Sequence, residues 1–151
     1  QMSHLMHHFF FEGIGLRQMI DYYYLLKRGF TETERKDTIR WFKRTGMYKI
    51  ASAVMYVMKD IFGMSEEYLL LPPNGRIGKL LVSEMMQSGN FGFYDKRYSF
   101  AGKSVYSQYF IEIYRNLHFA FDFPSETIWG RPISRWWHML YKAYLRIQLK
   151  G

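Results

Sequence analysis

Between His4 and Asp21 the chain crowds histidines, a carboxylate, a glycine turn and a spaced arginine and aspartate into eighteen residues. His4, His8 and Glu12 stand at i, i+4 and i+8, so an unbroken helix would align them on one face, as metal ligands often are. Glu12 directly precedes Gly13, where a helix is expected to stop, and the histidine pair lacks the catalytic glutamate that follows the first histidine in metalloproteases. Local hydrogen bonding, or lining a cleft, is the favoured chemistry for these histidines, and no metal ligands are assigned. Gly13-Ile14-Gly15 ahead of a helix would place amides and the positive end of a helix dipole beside Arg17, an arrangement suited to phosphate. Arg17 and Asp21 lie one turn apart. They are read either as a structural salt bridge or as a guanidinium fork facing a ligand, with the carboxylate fixing its orientation.

Two further stretches bear on ligand chemistry. Gly75-Arg76-Ile77-Gly78-Lys79-Leu80 faintly resembles a phosphate loop, but a P-loop needs four residues between its glycines and a hydroxyl after the lysine, so that reading is rejected. Asn90 and Asp95 stand in a stretch rich in glycine and aromatics, Ser88 to Gly102, which reads as a structured loop. Loops on rigid scaffolds often carry function. Asn90 is accordingly a candidate ligand contact, with a turn-forming role as the alternative. The expected substrate-binding set is Arg17, Asp21, His8, Gly13, Gly15 and Asn90, with no catalytic residue.

The C-terminal stretch suggests a different chemistry. After Glu126 there is no acid, while Arg131, Arg135, Lys142, Arg146 and Lys150 contribute five positive charges to a net charge of +8. At about 100° per residue, Arg135, Lys142, Arg146 and Lys150 fall within roughly an 80° arc of one helix. Ile133, Trp136, Leu140, Tyr144 and Ile147 occupy the opposite side. Such a helix either docks its apolar face on the rest of the fold or lies against an anionic membrane or an acidic protein partner. Nucleic acid is not expected to be the partner.

The His7-His8-Phe9, Glu12-Gly13-Ile14-Gly15-Leu16-Arg17-Gln18 and Asp21 block resembles a segment of an uncharacterised nucleotidyltransferase-like family of polysaccharide-biosynthesis settings. Three later stretches look like landmarks of the same family in the same order: Gly46-Met47-Tyr48-Lys49-Ile50-Ala51-Ser52-Ala53-Val54-Met55, then Gly89-Asn90-Phe91-Gly92-Phe93-Tyr94-Asp95, then Pro124-Ser125-Glu126-Thr127-Ile128-Trp129. The resemblance implies a transferase that uses a nucleoside triphosphate and magnesium, and a nucleotide or small-molecule acceptor held with the help of an N-terminal domain. Nucleotidyltransferases hold their metal on an Asp-x-Asp pair along one strand face. This chain has no Asp-x-Asp; its nearest approach is Glu32-Thr33-Glu34 in a polar helix start. Opening at Gln1 in a helix-like pattern, it is read as the C-terminal helical part of a longer nucleotidyltransferase, shaping a nucleotide and acceptor cleft but inactive alone. The alternative is a noncatalytic interaction module that docks through its basic C-terminal helix.

The elements that must position these residues read as helices. Leu16, Met19, Ile20, Tyr23 and Leu26 keep helical spacing up to a stop at Gly29. Thr31-x-x-Glu34 matches a capping box. Met47, Ile50, Ala51, Val54, Met55, Met58, Ile61 and Phe62 hold the i, i+3, i+4, i+7 rhythm for four turns up to Gly63. Pro72-Pro73-Asn74-Gly75 is a break, followed by a helix through Ile77, Leu80, Leu81 and Met85. Val105 to Phe119 and Pro132 to Leu149 complete an all-α, irregular bundle of six or seven helices. No repeat or linker divides the chain, so 1–151 is read as a single helical domain. A chain of 151 residues buries about 70% of its extended surface. With aromatics at 20% of its residues and ten methionines, the core is expected to be filled largely by flat rings, with methionine in the gaps. Cysteine is absent, which excludes disulfides and thiolate metal sites. No apolar run approaches the roughly 18 residues of a membrane span. The expected location is cytoplasmic, at most peripheral to a membrane.

Overall fold

The computed structural model describes residues 2–11, 15–88, 102, 104–124, 127 and 129–148. Among these the regular structure is entirely helical, without a strand, and the all-α expectation holds. Backbone contacts group the chain into two compact units, Gln1–Ser99 and Phe100–Gly151, a division for which the sequence shows no linker.

In the first unit, α1 (Met2–Phe11) buries Met2, Leu5, Phe9 and Phe10. The helix α2 (Leu16–Lys27) buries Met19, Tyr22 and Leu26. That face shares Met19 and Leu26 with the predicted one but is rotated toward Tyr22, because Leu16 and Ile20 are exposed. Both registers satisfy helical spacing, and packing selects the one that covers Tyr22. Gly29 then reverses the chain at φ +77°, a left-handed conformation that costs a side-chain-bearing residue but not glycine.

The helix α3 (Glu32–Arg44) starts as the capping box predicts. The Glu34 N–H donates to the Thr31 hydroxyl at 3.2 Å, and the Thr31 N–H donates back to the Glu34 carboxylate at 2.7 Å. Farther along, the Arg35 Nε–H donates to the Leu70 carbonyl at 3.0 Å and ties α3 to the buried Leu69–Leu71 segment.

The centre of the unit is α4 (Tyr48–Tyr56), whose residues Ile50 through Met55 are all buried. Ser52 is the one polar side chain in this run, which therefore has no face to give to water. It widens into a π-helical turn, Val57–Ile61, before Gly63 at φ +63° ends it. After the proline break, the Asn74 N–H donates to the Ser52 carbonyl at 2.9 Å. The Asn74 side chain accepts from the Ile77 N–H at 3.1 Å. The break thus both anchors to α4 and caps α5 (Gly75–Ser88). Ile77, Leu81 and Met85 form the buried stripe of α5. Gly75 and Gly78 face the Tyr56 ring, and a Cβ on Gly78 would fall 2.4 Å from it. The stretch with a faint phosphate-loop look is therefore a close helix crossing.

In the second unit, α6 (Val105–Asn116) is capped by Ser104 and continues as a 3₁₀ turn to Phe119. Phe119 and Phe123 are buried, and the buried Thr127 hydroxyl donates to the Phe123 carbonyl at 2.8 Å. Next comes α7 (Gly130–Gln148), 19 residues long.

The expected aromatic core is corrected. Among the described residues the largest fully buried side chains are Phe10, Met19, Leu26, Ile50, Met55, Met58, Leu71, Ile77, Leu81, Val54 and Val57. A single ring stands among them. Methionine does fill the interior as expected, but most of the described Trp, Tyr and Phe side chains are not part of this dry centre.

Candidate docking surface

The N-terminal ligand set is placed in part. Arg17 and Asp21 both lie exposed on α2, and no ion pair joins them. The salt-bridge reading of this pair is thereby removed. Gly15 is buried at the N-cap of α2, and its N–H donates to the Gln18 side chain at 3.0 Å. An anion reading needs a free amide there, and this one is already satisfied within its own helix start. His4 and His8 lie in α1, while Glu12, Gly13, Asn90 and Asp95 lie outside the described residues. Among the described residues no group of three or more His, Asp or Glu side chains stands close enough to hold a metal.

Several titratable groups of the first unit have displaced values, each with a local structural cause. Two hydrogen bonds from Thr31 hold the Glu34 carboxyl below its usual range. The hydrogen bond between Lys59 and Glu66, at 2.6 Å, raises the lysine and lowers the glutamate. A hydrogen bond to Asp60 raises Tyr56, and burial raises Tyr22. These are caps, pairs and packing, and they converge on no cleft.

The second unit carries the feature with chemical potential. Every described side chain of α7 from Ile133 to Gln148 is exposed. Helical spacing puts Ile133, Trp136, Trp137, Leu140, Tyr141, Tyr144 and Ile147 in one arc of about 140°, and each is half or more exposed, Trp137 at 71% and Ile147 at 74%. Trp137, Leu140, Tyr141 and Tyr144 line an open, almost wholly apolar hollow. Lys142 and Arg146 are exposed on the opposite arc, at the register that also holds Arg135. Sequence reasoning identified this helix but omitted Trp137 and Tyr141 from its face.

It also missed α6. Tyr106, Phe110, Tyr114 and Leu117 recur at i, i+4, i+8 and i+11 and are all strongly exposed. That spacing was the available signal. It reads equally as a core face, and only the structure shows these rings in water.

No protein-family model, no curated protein and no solved structure matches this chain. The nucleotidyltransferase-like resemblance gains no support from such comparisons, and neither do the magnesium and nucleotide it implies.

Proposed function

We propose that the chain is a noncatalytic docking module that seats itself on an acidic surface through α7. The carrying observation is the exposed two-sided character of this helix, with a broad apolar and aromatic arc on one side and Lys142 and Arg146 on the other. Contiguous apolar surface of this kind on a folded chain marks an interaction site. The absence of any acid after Glu126 sets the sign of the partner's charge.

The test measures retention of the full chain on a polyglutamate matrix as salt is raised. Each basic side chain near an anionic surface contributes about 1 kcal/mol, so the double variant Lys142→Ser, Arg146→Ser should bind about thirtyfold more weakly. A control pair on α3, Lys36→Ser and Arg40→Ser, removes the same charge from another exposed helix face and should have less than a quarter of that effect on affinity. Equal losses in the two variants would mean that net charge alone binds, and the reading would fall.

A further inference from the structure

Resting on that reading, we infer that the acidic surface is the headgroup layer of an anionic bilayer, with α7 lying in its plane. A polyanion or an acidic peptide would account for the cations of α7 and leave its apolar arc unused. A lipid surface uses both, since an in-plane helix sinks its apolar face toward the acyl boundary while anionic headgroups attract its basic side.

The make-up of the arc points the same way. Trp136, Trp137, Tyr141 and Tyr144 make up more than half of its seven apolar residues. Rings with one polar edge favour the boundary between headgroup and hydrocarbon. The opposite register fits too, because Lys142 and Arg146 carry stems long enough to bring their charges back toward the headgroups. Among the described residues no helix is long and apolar enough to cross a membrane. With Lys142 and Arg146 interrupting it in successive turns, α7 is suited to lie on the bilayer and not to span it.

A second stripe supports lipid over a protein groove. Tyr106, Phe110 and Tyr114 on α6, with Leu117 in the turn that follows it, expose an apolar, mostly aromatic row, Tyr106 at 80%. A groove that accepts one amphipathic helix is filled by one stripe, whereas a fluid surface can accept more than one.

The experiment is sedimentation of the full chain with vesicles of pure phosphatidylcholine, and with vesicles containing roughly 30% phosphatidylserine, while tryptophan emission is followed. The expected result is binding to the anionic vesicles alone, a blue-shifted emission, and weakening at high salt. Trp136→Ser with Trp137→Ser should lower vesicle affinity at least tenfold and remove most of the blue shift, while leaving the circular dichroism spectrum unchanged. Retention on polyglutamate without vesicle binding would overturn the lipid inference and leave the docking reading standing. Failure on both supports would remove both. Vesicle binding that is indifferent to the tryptophan pair, or that brings no blue shift, would show purely electrostatic adsorption and refute in-plane insertion.

Discussion

Replacing Gly78 by alanine should destabilise the first unit, and the structure sets the scale. An added Cβ would lie 2.4 Å from two atoms of the Tyr56 ring and 2.5 Å from the Tyr56 Cβ. Rotation about χ1 can swing the ring away, but it cannot move the Cβ, so α4 and α5 would have to separate by roughly 1 Å to restore ordinary contact near 3.5 Å. The helix α4 has little room to shift, because Ile50 through Met55 are buried on every side. Forced overpacking of this kind costs about 1–3 kcal/mol, occasionally more. The better helix propensity of alanine returns up to about 1 kcal/mol. The expected net loss is about 1–2 kcal/mol, which for a unit of this size lowers the melting temperature by roughly 4–15 °C. Gly75→Ala is the control, since its Cβ would meet the same ring at an ordinary 3.5 Å, and it should be nearly neutral. Thermal melts followed by circular dichroism at the helical band decide the matter. Tyr56→Ala combined with Gly78→Ala should recover only part of the loss, because the Tyr56 Cβ position remains occupied. A Gly78→Ala protein as stable as the parent would refute the crossing geometry.

Thr31→Ala should cost about 1 kcal/mol by removing the α3 cap, measurable by urea denaturation. Because the folded value of Glu34 is lowered, its contribution is present above the ordinary glutamate value of about 4.3 and is lost as pH falls through the lower folded value. The difference between parent and Thr31→Ala should therefore shrink in acid, and a pH-independent difference would count against the cap. Tyr22 is buried, and its hydroxyl has no hydrogen-bond partner among the described residues, so Tyr22→Phe should leave stability unchanged or raise it by up to about 1 kcal/mol. Its folded value is raised by burial, so its ionisation costs the fold nothing below the ordinary tyrosine value of about 10, and the fold loses stability as pH rises through that value toward the folded one. An ultraviolet titration should show one fewer late-ionising phenol in Tyr22→Phe. Arg17→Ala should change stability by no more than about 0.5 kcal/mol, since Arg17 is exposed and does not pair with Asp21; a larger fall in a denaturation midpoint would restore the salt-bridge role.

What could be read from the sequence was whatever neighbouring residues decide among themselves. Thr31 and Glu34 satisfy each other within four residues, so the capping box is visible before any fold is known. The run from Ile50 to Met55 has no polar face, so its central position follows from solvation alone. Gly29 and Gly63 stop helices because the chain reverses there at positive φ. What stayed hidden depends on partners far along the chain. The face that α2 buries is chosen by what packs on Tyr22, and the reason for Gly78 is Tyr56, at the end of the preceding helix α4. The candidate ligand turn was ambiguous in another way. Gly15 and Gln18 have the spacing of a helix cap, and the same glycines also suit a phosphate turn, so the local pattern admitted two meanings.

The aromatic content shows why function was harder to read than fold. Composition says how many rings there are, and a fold with that many is expected to bury them, since each removes a large apolar area from water. Here the fully buried centre is built mainly from Leu, Ile, Val and Met, and Trp136, Trp137, Tyr141, Tyr144, Tyr106, Phe110 and Tyr114 remain exposed. Scattered exposed rings would need no explanation. These are ordered by helical period into one arc on α7 and one row on α6, and on α7 the arc faces away from Lys142 and Arg146. Leaving so many aromatics exposed adds nothing to stability and disfavours solubility unless something other than water covers them. Helical order on the exposed side, together with a cationic reverse face, is the pattern expected of a surface completed by a partner. A stabilising substitution that makes the α7 arc polar, such as Leu140→Glu, should therefore improve solubility of the free chain while removing its retention on anionic vesicles. Loss of the two properties together would instead mean that the arc supports the fold itself.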